Sequence, residues 1–164
     1  MNTYSLIPHN LLLEVLDYDK DTGDFTWKLP VSKKSKPGKK AGSVNKVLGY
    51  VVMTVCGYKT YGHRLAWYYV YGEMPEGDID HINGIKSDNR ICNLRKATRS
   101  QNMFNLHKPN KNNKLGVLGV HHNGSSYIAK INRDGRTTHL GSFQTQEEAH
   151  EAYMKAKFEI TEGK

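Results

Sequence analysis

The chain has only two cysteines and no long run of apolar residues. Cys56 and Cys92 are too few for a disulfide framework or a four-sulfur zinc site, so a reducing, cytoplasmic setting is expected. Cys92 is expected to be buried as a small apolar residue. The lack of a long apolar run argues against membrane insertion, and the N-terminus does not show a signal-peptide pattern. We therefore expect neither membrane insertion nor secretion.

Positive charge is what the sequence has in excess. Its 164 residues include 24 Lys and Arg against 16 Asp and Glu, which gives a formal net charge of +8. Only 37% of the residues are hydrophobic, so burial should be modest and small modules are expected. A basic chain of this kind favours an anionic partner, either nucleic acid or a membrane surface.

The N-terminal half shows short helical and strand patterns in alternation. Residues 5–16 carry Leu and Val at helical spacing, and residues 25–27 predict a short strand. Residues 49–62 predict a β-hairpin. Residues 63–72 then predict a helix rich in aromatic side chains.

The segment 78–107 predicts a strand, a loop, a second strand at 93–98 and a helix. An Asn-Gly pair marks a turn directly after the first strand. Thr98 and Gln101 fit a capping box, in which each side chain satisfies a free backbone N–H at the start of a helix. Asn102 should therefore lie in the first turns of that helix.

Asp80, His81 and Asn102 together could hydrolyse a phosphodiester. A carboxylate and an amide oxygen are hard ligands suited to Mg²⁺ or Mn²⁺, and a histidine can take a proton from water near neutral pH. The cation can offset charge on the phosphate and on the leaving oxygen. Because adjacent strand residues face opposite ways, Asp80 and His81 can share a site only if the strand ends or bends there. Asn105, one helical turn beyond Asn102, is an alternative ligand.

The stretch HRLAWYYVYGEMPEGDIDHINGIKSDNRICNLRKATRSQNMFN, residues 63–105, closely resembles the HNH endonuclease family in the form common among phage homing endonucleases. Its pattern DHIN…DN…NLR…T…QN carries the resemblance. The resemblance implies a ββα-metal unit with His81 as general base and with Asp80 and Asn102 as metal ligands. It gives Asn93 a structural part in the catalytic unit, in which it bonds the backbone and holds the histidine loop. No structural zinc is implied.

The C-terminal part predicts three short strands and one helix. Asn-Gly at 123–124 and Asp-Gly at 134–135 are hairpin signals between strand-like runs at 116–122, 125–132 and 136–143. Thr145 and Glu148 predict the start of the helix. The quoted runs GVLGVHH, YIAKI and HLGSFQTQEEAHEAY resemble the AP2 DNA-binding domain.

Several side chains are candidates for DNA contact. Alternation along the strands predicts one exposed face, on which Lys and Asn can bond base edges, whereas the flanking arginines would hold phosphates. A solvated sheet face is the alternative interpretation. Arg64, at the start of the earlier helix, could reach a phosphate or form a surface salt bridge. The candidates are Arg64, His121, Lys130, Asn132, Arg133, Arg136, Thr137 and His139.

We expect an α+β protein with four parts. These are a leader segment at 1–50, an HNH nuclease domain at 51–107, a polar linker at 108–115 and an AP2-like domain at 116–164. In the AP2-like domain a three-stranded antiparallel sheet is expected to pack on one helix. The expected function is a metal-dependent DNA endonuclease, a nickase or a double-strand cutter, that uses Mg²⁺ or Mn²⁺. The expected partner is double-stranded DNA, with no membrane and no obligate protein partner, in the cytoplasm of a bacterial host of a phage. The alternative is a non-catalytic, sequence-specific DNA-binding regulator. An RNA-binding role is weakened by the lack of an aromatic stacking motif.

Overall fold

A computed structural model describes residues 7–106, 108–110 and 112–162. The chain divides into two compact units, Met1–Ala97 and Thr98–Lys164. The predicted mixture of helices with small antiparallel sheets is confirmed. No helix among these residues is long and apolar enough to cross a membrane.

Between residues 7 and 97 the first unit contains two α-helices and three small antiparallel sheets, ordered β1-β2-β3, β4-β5-β6 and β7-β8. A 3₁₀ turn, Ile91–Asn93, precedes β8. The elements are α1 (His9–Val15), β1 (Leu16–Tyr18), β2 (Phe25–Trp27), β3 (Lys40–Ala41), β4 (Ser43–Val44), β5 (Val51–Val55), β6 (Tyr58–Tyr61), α2 (Gly62–Tyr71), β7 (Asp78–His81) and β8 (Leu94–Ala97).

One apolar core holds the first unit together. Leu12 of α1 and Phe25 of β2 are almost fully buried, in the same cluster as Leu65 of α2, Ile79 of β7 and Leu94 of β8. The residues predicted as a leader segment thus pack into the same core as β7, the strand that carries Asp80 and His81. Burial of large side chains of this kind contributes roughly 1.5–3 kcal/mol each, so the predicted leader segment contributes to the stability of β7 and β8.

The second unit has one sheet, ordered β11-β10-β9, with α4 against it. Its core is small and includes Val120, Ala129 and Ala149. A Cβ atom on Gly119 would overlap the ring of Tyr153, so α4 and the chain before β9 meet closely there. The elements are α3 (Arg99–Phe104), β9 (Val120–Asn123), β10 (Ser126–Arg133), β11 (Arg136–Phe143) and α4 (Gln146–Glu162).

Both predicted capping boxes are present. The Thr98 N–H donates to Gln101 Oε1 at 2.9 Å, and the Gln101 N–H donates back to Thr98 Oγ1 at 3.2 Å. Thr145 and Glu148 make the same reciprocal pair, with both distances 3.3 Å. These bonds satisfy backbone donors that a helix start leaves unpaired, which confirms the predicted starts of α3 and α4.

Three predictions about local structure need correction. Helix α1 ends at Val15, because Leu16 pairs with Trp27 and so begins a strand; residues 5 and 6 lie outside the described part of the chain. Strand β9 begins only at Val120, because Gly119 has φ +73°, which an extended strand cannot continue. Cys92 is exposed, not buried.

Candidate active site

Asp80 and His81 lie at the end of β7, opposite β8. The register pairs Asp80 with Arg95 and His81 with Leu94. Asp80 is 6% exposed and His81 is 4% exposed. The Arg95 Nε and Nη2 atoms both donate to Asp80 Oδ2, at 3.0 and 2.9 Å. A charge-assisted pair between directly opposed residues therefore fixes the direction of the Asp80 carboxylate.

Asn89 holds the imidazole of His81. The His81 Nε2 atom lies 3.4 Å from Asn89 Oδ1. A bond donated by Nε2 to that oxygen places the lone pair of the neutral ring on Nδ1. Asn89 is itself buried, and its C=O accepts a 2.8 Å hydrogen bond from the hydroxyl of Tyr18. A residue of β1 thereby helps to set the orientation of the candidate base.

Two glycines make room for Asn89. A Cβ on Gly62 would come within 2.6 Å of Asn89 Nδ2. A Cβ on Gly23 would lie 2.6 Å from the Asn89 carbonyl carbon and 2.4 Å from the Arg90 nitrogen, and Gly23 also has φ +75°. Only glycine allows the backbone to approach this closely. The turn between β1 and β2 is therefore part of the wall behind His81.

Asn93 ties together the loop that follows His81. Its Oδ1 accepts from the Asn83 N–H at 3.0 Å, and its Nδ2 donates to the Asp88 C=O at 2.9 Å. The Ile82 N–H donates to the Asn93 C=O at 2.9 Å. One buried side chain thus bonds the backbone near both ends of the loop, and these are the bonds needed to hold a histidine loop in place.

The same loop has an acid at its far end. Arg90 donates to Asp88 through Nε at 2.8 Å and Nη2 at 2.6 Å, and these bonds lower the pKa of the Asp88 carboxyl to about 2. The Asn83 side chain donates to the same carboxylate at 2.7 Å. Asp88 is therefore ionised at neutral pH and stabilises the loop on its outer side.

A second histidine lies against His81. The ring centroids of His63 and His81 are 5.1 Å apart, nearly edge to face. Burial, followed by the nearby His81 and Arg64, lowers the pKa of His63 to about 3, and burial also lowers the pKa of His81. The Nδ1 atom of His63 is buried without a hydrogen-bond partner among the described residues. His63 is therefore neutral at physiological pH and adds no repelling charge beside the candidate base.

Two tyrosines lie against these histidines. The Tyr50 ring lies 5.1 Å from that of His63 and 5.9 Å from that of His81. Tyr61 stacks on His63 at 5.8 Å. Burial, followed by the Asp80 charge, raises the pKa of Tyr50, so its hydroxyl stays protonated. An aromatic wall of this kind limits water around the histidine.

The donor types suit a hard divalent cation. Such an ion takes few protein ligands and keeps water or phosphate oxygens, so one carboxylate and one amide oxygen are compatible with it. Asp80 supplies the carboxylate, one oxygen of which is bonded to Arg95. Asn102 and the alternative ligand Asn105 lie on or just after α3 in the second unit. Among the described residues no group of three His, Cys, Asp or Glu side chains could hold a metal.

The predicted DNA contacts lie mostly on one exposed face of the second unit. Cross-strand pairing places Lys130 opposite His139 and Asn132 opposite Thr137. The Asn132 side chain donates to the Thr137 hydroxyl at 3.0 Å. Arg64, by contrast, is half-buried at the start of α2. The exposed side chains are His121, Lys130, Asn132, Arg133, Arg136, Thr137 and His139.

Helix α3 packs within the second unit beside this face. Ser100 Oγ bonds Asp134 Oδ1 and the Asp134 N–H, both at 3.2 Å. Lys157 of α4 donates to the Leu106 C=O at 2.7 Å. A cavity of about 520 Å³ opens between these elements and is bordered by Lys130 and Asn132. The helix that carries Asn102 thus has its described packing partners in the C-terminal sheet and helix.

Sequence reasoning did not assign Arg95, Asn89 or Tyr50 to the site. Arg95 and Asn89 both fall in the quoted letters NLR and DN, which mark them as motif residues but do not show that they contact Asp80 and His81. Tyr50 had no such signal, because its place depends on how the hairpin packs against α2.

The sequence comparisons agree with this location of the site. Residues 60–104 match the family model described as HNH endonuclease, so the predicted resemblance to the HNH endonuclease family is confirmed over this segment. A protein of Acanthamoeba polyphaga mimivirus, named as an uncharacterized HNH endonuclease, is 35% identical over 85 residues, which cover 51% of this chain and 43% of the relative. The chain therefore matches less than half the length of that relative. No solved structure matches the chain. The site of Asp80, His81 and Asn93 thus lies within residues 60–104, the segment that matches the HNH endonuclease family model.

Proposed function

We propose that the protein is a metal-dependent DNA endonuclease that hydrolyses phosphodiester bonds. The observation that carries the proposal is the buried Asp80–His81 pair at the end of β7, inside the segment that matches the HNH endonuclease family. Burying two ionisable groups is costly unless they are bonded, and here each has a dedicated partner. A pair held in this way is suited to chemistry more than to a solvated turn.

In the proposed mechanism His81 is the general base. Its ring takes a proton from water, the water oxygen forms a bond to phosphorus, and the bond to the leaving oxygen breaks. Asn89 keeps the ring in one tautomer and Asn93 keeps the loop in place. Asp80 and Asn102 would hold Mg²⁺ or Mn²⁺, which when bound offsets charge on the phosphate and on the leaving oxygen.

The second unit is proposed to supply recognition, as an AP2-like DNA-binding module. Support comes from the three-stranded antiparallel sheet with one helix and from the exposed polar face. Base edges would be read by Lys130 and Asn132, and phosphates would be held by Arg133 and Arg136. The proposal includes a phage homing role, which rests on the resemblance of the sequence motifs alone.

Plasmid cleavage tests the nuclease. Supercoiled plasmid is incubated with the purified full chain and Mg²⁺ or Mn²⁺, with and without chelator. We expect conversion to nicked or linear DNA only when metal is available, and the ratio of the two products separates a nickase from a double-strand cutter. Cleavage that persists in chelator would refute metal dependence.

A non-catalytic DNA-binding regulator is the second candidate. It is favoured by one contact, the pair of hydrogen bonds from Arg95 to Asp80 Oδ2, because a guanidinium can replace a cation at a carboxylate. Plasmid that is bound in a gel-shift assay but stays uncut with either metal would support this candidate and reject the nuclease.

A further inference from the structure

An exposed apolar turn adjoins the candidate active site in the first unit. It joins β4 to β5 and has Val47 and Leu48 at its centre; we call these two residues the apolar tip. Val47 is 89% exposed and Leu48 is 45% exposed. Neither belongs to the buried core of the unit, so the fold itself gives no reason for apolar side chains here.

Asn45 fixes the shape of the turn. Its N–H donates to the Tyr50 C=O at 2.8 Å, and its C=O accepts from the Gly49 N–H at 2.7 Å. Its side-chain oxygen accepts from the N–H groups of Val47 and Leu48, at 3.0 and 2.9 Å. The apolar tip is therefore preorganised, and little conformational entropy would be lost when it binds a partner.

The apolar tip adjoins the residues that surround His81. Tyr50, which follows the turn, has its ring 5.9 Å from that of His81. Lys86, from the loop after His81, donates to the Leu48 C=O at 3.4 Å and lies 4.9 Å from the Tyr50 ring. Val47 is three residues from Tyr50, at most about 11 Å between Cα atoms. A duplex with a phosphate at His81 would pass within reach of the tip.

The charge around the apolar tip suits a polyanion. Lys46 is exposed in the turn, Lys86 lies beside it, and residues 43–50 contain no acidic side chain. Duplex DNA offers phosphates to lysines and stacked bases to an apolar wedge in the same place. The minor groove is only about 6 Å wide, which admits a narrow two-residue turn.

We propose that the apolar tip inserts into the minor groove of duplex DNA, next to the phosphate at His81, and partly unstacks one base step. Val47 and Leu48 act as the wedge, and Lys46 and Lys86 hold the flanking phosphates. The inference deepens the proposed function, on which it rests for its DNA partner. It assigns the first unit a deforming contact that is separate from the recognition proposed for the second.

A plasmid topology assay tests the wedge without any cleavage. Relaxed closed-circular plasmid is incubated with the full chain and a metal-independent topoisomerase in EDTA, and the linking number is read after the protein is removed. Wild type should lower the linking number, because unstacking unwinds the duplex. The variant Val47→Ser/Leu48→Ser should lose most of that shift. Val44→Ser, which is 53% exposed on β4 and outside the tip, is the matched control and should retain it.

The outcomes separate this inference from the nuclease proposal. All variants are first compared by thermal melting and by gel shift, so that the linking number is read at equal plasmid occupancy. An unchanged shift in the double variant, or no shift in wild type, would overturn the wedge. A wild-type dimer that the tip substitutions convert to a monomer would identify a self-association surface and also overturn it. A plasmid that is unwound in EDTA but never cut with metal would reject only the nuclease.

Discussion

The two units differ in where they keep their polar side chains. In the first unit a cluster of polar groups around the HNH motif is buried, and each member is at most 8% exposed. In the second unit the polar side chains predicted to contact DNA all lie on exposed surface. The buried cluster consists of His63, Asp80, His81, Asn89 and Asn93.

Burial restricts which side chains fit in the first unit, whereas exposure does not restrict them on the sheet face of the second unit. A buried polar group left unpaired costs roughly 1–3 kcal/mol, so the bonds made by Asp80, His81 and Asn93 restrict which residues fit there. An exposed polar face costs nothing to solvate and is normal for an antiparallel sheet. The geometry of the buried cluster therefore supports a function, whereas the same exposed face fits both DNA contact and simple solvation.

Removing the candidate base should have the largest effect. We expect His81→Ala to lower the rate of plasmid cleavage by roughly 10²-fold or more, because proton transfer from water is lost. Binding should change little, since the basic surface is intact. Initial cleavage rates in Mn²⁺, beside gel-shift affinities, measure both. His122→Ala, an exposed histidine in the second unit, is the control and should cut normally. Full activity in His81→Ala would refute the assignment of His81 as general base.

The metal assignment can be checked without activity. A ligand that binds only the folded state raises its melting temperature, so Mn²⁺ should stabilise wild type in a thermal melt. Asp80→Asn should abolish that shift, because a neutral amide replaces the carboxylate. Asp24→Asn, which alters an exposed carboxylate paired with Lys40, should keep it. If Asp80→Asn responds to Mn²⁺ as wild type does, the ion binds elsewhere.

Loss of the loop bonds should be smaller and should act on stability. Asn93→Ala removes both bonds to the histidine loop and leaves the Asn83 N–H and the Asp88 C=O without this partner. We expect the free energy of unfolding to fall by about 2 kcal/mol. Urea unfolding followed by tryptophan fluorescence reports on the first unit, because Trp27 and Trp67 both lie there.

Asn10→Ala is the matched control for the loss of stability expected in Asn93→Ala. Asn10→Ala, on the exposed side of α1, should change stability by no more than about 0.5 kcal/mol. Equal losses in Asn93→Ala and Asn10→Ala would mean that burial of Asn93 adds no stability to the loop.

Local patterns predicted local structure well, because the signals and the bonds lie in the same few residues. The capping boxes at Thr98 and Thr145 and the Asp-Gly turn at 134–135 are each satisfied within four residues. The predicted strand that carries Asp80 and His81 is also present, as β7. The partners of His81 were not predictable, because Asn89 is held by Tyr18 and Gly23, which are more than sixty residues away in sequence.

The packing of α3 against the C-terminal sheet was likewise not predictable from the sequence. The helix has only six residues, too few for its apolar pattern to indicate which sheet it would contact. Contacts group it with the C-terminal sheet, and the division between units falls at Ala97 and Thr98, before the polar stretch 108–115. A truncation that tests the second unit should therefore keep or remove α3 together with the C-terminal sheet and helix. A cut at residue 116 would separate α3 from them.

The smallest expected effect tests the exposed face. Arg133 lies beside a hairpin turn and has only a loose ion pair with Asp134, at 3.6 Å, so a phosphate can displace that partner at little cost. Arg133→Ala should weaken binding to every duplex and reduce the slope of log affinity against log salt by about one. Lys130→Ala should instead lower preference for the natural target by roughly 1–3 kcal/mol. Competition binding at several salt concentrations, with Lys155→Ala on α4 as control, measures both. An unchanged slope and preference in both variants would show that the face is solvated and that recognition lies elsewhere.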